Sequence, residues 1–197
     1  MITFSDLAVS MLKCEQTKGQ TLYQHGLSVK NHLENLLYYL ENDISRYQYK
    51  IPDIIKKYKF ELLENIHDEQ TLSLYTIYHD CGKSFCKIID VDGKVHFPNH
   101  ALISKQKYLE SGGDIQVANL IGWDMILHEG NYDTINDFLK IWSIKDSCTL
   151  LLTAFAEINS NSKMFGGIDS ISYKSKYKKL ERRSKQICNF YFEKDKQ

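Results

Sequence analysis

The feature that most constrains this chain is a helical rhythm that rarely breaks. Over residues 20–42, Leu22, His25, Val29, Leu33, Leu36 and Leu40 recur every three or four positions, the period of a helix that buries one stripe. Similar spacing marks residues 3–13, 53–66, 69–80, 100–111, 115–128, 143–160 and about 168–193. Two prolines and ten glycines in 197 residues argue against a loop-rich or disordered chain. Residues 87–97 depart from the rhythm, alternating around Asp92-Gly93, a tight-turn signal. The expectation is a mainly α fold with one small β-hairpin. The length suits a single domain over 1–197, with a core at about 20–160 and a basic C-terminal helix at about 168–193.

Along this helical frame lies a series of metal-ligand residue types: His25, the vicinal pair His79-Asp80, His100, His128 and Asp146. A vicinal His-Asp pair puts an imidazole and a carboxylate at the end of one helix, where both reach the same cation. Imidazole with carboxylate suits borderline and hard divalent ions, Mn, Fe, Co, Ni and Zn alike. Such ions generate hydroxide near neutral pH. Asp146 begins a mostly apolar helix and heads a polar line with Thr149, Thr153 and Glu157. A carboxylate on a buried helix needs a partner, and a metal would supply one. Glu157 lies about 16 Å further along at helical rise, too far to share that ion, and is read as holding a basic residue or lining a cleft.

The order His25 … His79-Asp80-Cys81-Gly82-Lys83 … His100 … His128 … Asp146 resembles the HD-domain metal-dependent phosphohydrolases, over residues 20 to 160. The resemblance implies an HD-type helical bundle with the hairpin near the site. It also implies divalent metal ions held by His25, His79, Asp80, His100, His128 and Asp146. Six ligands exceed what one ion with an open position needs, which favours two ions bridged by Asp80. The implied activity is hydrolysis of a phosphoester, either of a nucleotide or of a linear or cyclic terminal phosphate of a nucleic acid. Asp80 and Lys83 would be catalytic, Lys83 neutralising the phosphate as charge develops. The alternatives are a non-catalytic metal- or nucleotide-binding HD protein and a di-iron oxygenase.

Several residues carry plainer readings. His67-Asp68 repeats the dipeptide without its context, and reads as a surface histidine followed by a helix cap. His32 reads as structural, and His96 as a solvent-facing strand residue. Asp124 stands one turn before His128, where it would steer the imidazole or be a solvated helix charge. Cys81 and Cys86 flank the motif, but no second cysteine pair completes a zinc site.

The net charge is zero but uneven. Between Lys163 and Lys185 eight basic residues face only Asp169 and Glu181, a local excess of +6. That excess suits an anionic substrate, with Phe165, Lys178 and Lys179 as substrate-binding candidates beside Lys83. In the same helix Tyr173, Tyr177, Leu180, Ser184, Ile187 and Tyr191 recur at helical spacing, so the lysines are equally the wet face of an amphipathic helix. Five cysteines without a CxxC pair point to free thiols in a reducing, cytoplasmic setting. No apolar run reaches the ~18 residues of a membrane span, and no basic leader opens the chain.

Overall fold

The computed structural model describes residues 2–42 and 47–193. In chain order its elements are α1 (Phe4–Lys13), β1 (Glu15–Thr17), β2 (Gln20–Thr21), α2 (Leu22–Asn42), α3 (Asp53–Lys57), α4 (Lys59–Glu64), α5 (Glu69–Tyr78), α6 (Lys83–Cys86), β3 (Ile88–Ile89) and β4 (Val95–His96). They continue with α7 (His100–Glu110), α8 (Ile115–Trp123), α9 (Ile126–Glu129), α10 (Tyr132–Leu139), α11 (Ile144–Ser160) and α12 (Ile171–Phe192). The fold is mainly α with two small antiparallel hairpins, β1–β2 and β3–β4. No helix among the described residues is long and apolar enough to cross a membrane.

The chain divides into two compact units, each drawn from two stretches of sequence. The first takes the described residues of Met1–Lys30 and Glu69–Asp124, and the second those of Asn31–Asp68 and Met125–Gln197. In the first unit α7 packs on α8, α5 on α8, and α1 on α6 and α7. Its core is built from Leu7, Met11, Leu22, Val29, Tyr75, Tyr108, Leu120 and Ile121. Helix α1 starts with a capping box, Thr3 and Asp6 exchanging side-chain-to-backbone hydrogen bonds. In the second unit α12 packs against α3, α9, α10 and α11. Leu36, Ile55, Leu62, Leu127, Ile135, Leu151, Phe155, Leu180 and Ile187 fill that core.

Both long stripes are buried as their spacing requires. Leu22, His25, Val29, Leu33, Leu36 and Leu40 are buried on α2, as are Tyr173, Tyr177, Leu180, Ser184 and Ile187 on α12, whose Tyr191 is half-buried. The lysines of α12 are exposed, whereas Arg183 is buried among the stripe residues. Four local features differ from the periodicity. The 53–66 segment breaks at Tyr58 (φ −109°, ψ 27°). The 115–128 segment stops at Trp123 and resumes at Ile126, with tighter i→i−3 bonds from Asp124 N to Ile121 O and from His128 N to Met125 O. Helix α10, capped by Asn131, and the β1–β2 hairpin are additional elements.

The β3–β4 hairpin pairs Ile88 with His96 and Ile89 with Val95. Asp90 stabilises its turn by accepting from the Asp92 and Lys94 N–H groups, and Gly93 adopts φ 75°. Both strands are exposed, so the alternation there expresses the turn rather than a buried face. His96 is exposed and bonds Asp90 at 2.7 Å. The hairpin joins α6 to α7, the two elements that begin at Lys83 and His100.

Candidate metal centre

The first unit brings His25, His79, Asp80 and His100 together. Asp80 is 2 % exposed, and its Oδ2 faces His25 Nε2 at 3.6 Å and His79 Nε2 at 3.4 Å. Its other oxygen, Oδ1, faces His100 Nε2 at 3.6 Å. The three imidazoles are thus divided between the two oxygens of one carboxylate.

Two close approaches of backbone create this convergence. A Cβ on Gly26, the residue after His25, would stand 2.8 Å from Ile77 Cα, and closer still to the Ile77 carbonyl oxygen. Only a glycine lets α2 lie so tightly on α5, which ends just before His79. Gly82 plays the same part against α7, because a Cβ there would stand 2.7 Å from the Ile103 carbonyl carbon and 2.8 Å from Ser104 Cα. Gly82 is the N-cap of α6, in the turn that follows α5, and its φ −71° and ψ −19° are open to any residue, so what requires a glycine there is proximity to α7. Its N–H donates to Ser104 Oγ at 2.8 Å. Asn99, at φ 54°, occupies the left-handed region immediately before His100 and sets the entry of α7.

The rings are oriented by the carbonyls three residues behind them. His79 Nδ1 lies 2.8 Å from Thr76 O, and His100 Nδ1 lies 3.1 Å from Phe97 O. A carbonyl only accepts, so each Nδ1 carries a proton and Nε2 is the nitrogen turned toward Asp80. This is how metal-bound histidines are held. At 3.4–3.6 Å these nitrogens stand beyond a good N–H···O bond to the carboxylate. Two ligands each about 2.1 Å from one tetrahedral ion lie about 3.4 Å apart, which matches the spacing here. The pairwise spacings of Asp80 with His25, His79 and His100 are therefore those of two ligands on one divalent cation.

Burial alone would raise the Asp80 carboxyl, but Lys83, His79 and His25 together hold it well below the usual carboxylate range. Lys83 Nζ sits 2.6 Å from Asp80 Oδ2 and donates to Gln16 Oε1 at 3.2 Å, with its ammonium 5.5 Å from the centre of the Phe97 ring. The lysine expected to face a phosphate thus neutralises the carboxylate. Cys81 is fully buried and its thiol, pushed up to about 12 by burial, donates to the Ser104 carbonyl. It is a packed thiol rather than a thiolate ligand.

His128 and Asp146 belong to the second unit, where each has a partner. His128 Nε2 pairs with Glu157 Oε2 at 2.8 Å, the basic partner expected for Glu157. Asp146 Oδ1 pairs with His67 Nε2 at 2.9 Å, and its Oδ2 accepts from Ser143 Oγ and N in the capping box that starts α11. The partner that the burial of Asp146 demands is supplied by a histidine. His67 is correspondingly not a free surface residue: its side chain is 12 % exposed and its N–H donates to Thr149 Oγ1. The signal was the polar line itself, since Thr149 and Asp146 share one helix face. Asp124, in the first unit, accepts from the Tyr75 hydroxyl at 2.5 Å. His32 meets the Tyr49 hydroxyl at 3.2 Å, in keeping with a structural role.

The substrate-binding candidates on the basic segment separate. Lys178 is exposed and borders a cavity of about 450 Å³ lined by Tyr49, Tyr173 and Tyr177. Lys179, one position on, donates to the His128 carbonyl at 2.8 Å. Burial, with Arg183 and Lys176 nearby, holds its ammonium below the usual range. The Phe165 ring lies under the Lys176 ammonium at 4.9 Å. No protein-family model, curated protein or solved structure matches the chain, so the meaning of these sites rests on their own geometry.

Proposed function

We propose that the chain is a metal-dependent phosphohydrolase of the HD type, acting on a phosphoester of a nucleotide or of a nucleic-acid end. The observation that carries this reading is the division of three imidazoles between the two oxygens of one buried carboxylate. On one side, His25 and His79 join Oδ2; on the other, His100 joins Oδ1. Asp80, His25, His79 and His100 would hold the divalent ions, and such imidazole-carboxylate donors suit Mn, Fe, Co, Ni or Zn. Divalent ions there would supply the Lewis acidity that phosphoester hydrolysis requires.

The chain's own residues then have definite tasks. The Thr76 and Phe97 carbonyls hold the Nδ1 sides of His79 and His100, so each ring is oriented with Nε2 toward Asp80. Gly26 and Gly82 hold the three helices at the separation the donors need. Lys83 keeps Asp80 ionised while no cation is bound. With divalent ions held by these donors, Lys83 would be the chain's own cation beside them to meet an anionic phosphate.

The test is hydrolysis of bis-p-nitrophenyl phosphate and of nucleotides by protein stripped with chelator and refilled with each metal in turn. The reading expects turnover that returns only with metal and is lost in Asp80→Asn. Stoichiometric metal without turnover of any phosphoester would leave a binding protein. Iron retention with O₂-dependent chemistry would point to an oxygenase.

A further inference from the structure

Arg183 carries a charge into the interior of the second unit without an acid to meet it. The residue is 5 % exposed. One of its terminal nitrogens donates to the Gly130 carbonyl, and the other, Nη1, is buried with no hydrogen-bond partner among the described residues. No ion pair to a carboxylate forms there among the described residues. Arginine is seldom buried this deeply unpaired, because desolvating a charge is expensive. An unsatisfied buried donor calls for an explanation, and an absent anion is one.

The surroundings supply the second observation. Arg183 lines a cavity of about 200 Å³ together with Ser175, Lys176, Lys179, Leu180 and His128, and no carboxylate lines it. Lys179 is anchored by the His128 carbonyl, while the Lys176 ammonium lies over Phe165. Glu129 is felt by Lys179 but makes no ion pair among the described residues, and Glu157 is engaged by the His128 imidazole. Two of these cations also meet the exposed carbonyls at the end of α9, a helix-capping task that uses single N–H groups and leaves their charge unbalanced. Three like charges and a hydroxyl around one small cavity repel one another until an anion arrives.

We propose that this cavity is a binding site for the phosphate group of a phosphomonoester. A tetrahedral dianion uses many donors at once. The unpartnered Nη1 of the guanidinium with two ammonium groups and a hydroxyl offers them. The volume holds a phosphate group rather than a whole nucleotide, so the rest of the ligand projects outward. The inference does not depend on the metal centre: all of these residues lie in the second unit, and their argument is charge, not metal ligation.

The experiment is calorimetric titration of the full chain in chelator at low salt with inorganic phosphate, AMP and adenosine. The expected result is that phosphate, AMP or both bind and adenosine does not, the tighter of the two naming the source of the phosphate. Lys176→Glu, at an exposed position, should weaken binding about tenfold or more while leaving the thermal unfolding of the free protein unchanged. Arg183→Met should abolish binding. If that variant fails to fold, Lys176→Glu and Ser175→Ala still decide the matter. Absence of phosphate and AMP binding in the wild type, or affinity indifferent to Lys176→Glu, would overturn the proposal. So would adenosine binding as well as AMP, or an oligonucleotide binding far more tightly than either.

Discussion

Replacing Gly82 with alanine isolates the close approach on which the candidate centre depends. By chain entropy alone the change should help, since φ and ψ at Gly82 suit alanine and Gly→Ala at such a site gains up to about 1 kcal/mol. The new methyl, however, would lie 2.7 Å from the Ile103 carbonyl carbon and 2.8 Å from Ser104 Cα, where carbon atoms normally stay about 3.5–4.0 Å apart. The obstacle is backbone, so no rotamer change relieves it. Overpacking of this kind costs about 3 kcal/mol, the upper end of its usual range. Separation also stretches the 2.8 Å bond from Gly82 N–H to Ser104 Oγ, with a loss of about 1 kcal/mol. The net loss is about 3 kcal/mol, or about 6–12 °C in Tm for a chain of this size. Differential scanning calorimetry measures it, with Gly122→Ala in α8, whose Cβ would meet only the flexible Lys105 side chain, as the comparison. A Gly82→Ala protein as stable as wild type would refute the close approach and the positioning of His100 derived from it.

Other consequences follow from the same geometry. Gly26→Ala should behave alike, because its Cβ would press on the Ile77 backbone, and urea denaturation should show a comparable loss. His67→Ala should destabilise by about 1–2 kcal/mol at neutral pH by removing a partner from Asp146. Burial tends to raise the Asp146 carboxyl, but His67 and Ser143 outweigh it and hold the group below the usual carboxylate range. Stability from such a group is present above the ordinary carboxylate pKa of about 3.9 and lost as pH falls through the lower folded value. The difference between wild type and His67→Ala should therefore shrink on acidification, in chemical denaturation run from pH 7 to the acid limit. Of the five thiols, Cys86 is the half-exposed one, while burial pushes Cys81, Cys148 and Cys188 up to about 12, so a thiol reagent at pH 8 should label Cys86 first. Fast labelling of Cys81 in the folded protein would contradict its packing against Ser104.

Much of the architecture is legible in the periodicity. The α2 and α12 stripes are long enough for the 3.6-residue period to stand out, and their residues are buried accordingly. Strands of two or three residues, as in β1–β2, are too short for alternation to be read, and only the Lys18-Gly19 turn betrays that hairpin. The stop at Trp123 is equally hidden, since a helix that tightens and restarts keeps its spacing. At the candidate centre, residue type and order single out His25, His79, Asp80 and His100. What composition cannot reveal is that Lys83 already occupies the carboxylate, or that Gly26 and Gly82 each admit a neighbouring backbone. The pairing of Asp146 with His67 escapes a linear reading because its two halves stand 79 residues apart.

The most direct test of the account is metal stoichiometry by elemental analysis of wild type, His100→Ala and Asp80→Asn after refilling with Mn²⁺ or Zn²⁺ and desalting. The division of ligands over the Asp80 carboxylate predicts two ions per chain in the wild type, about one in His100→Ala and none in Asp80→Asn. Metal retained at the wild-type level in Asp80→Asn, or none bound by the wild type, would contradict it.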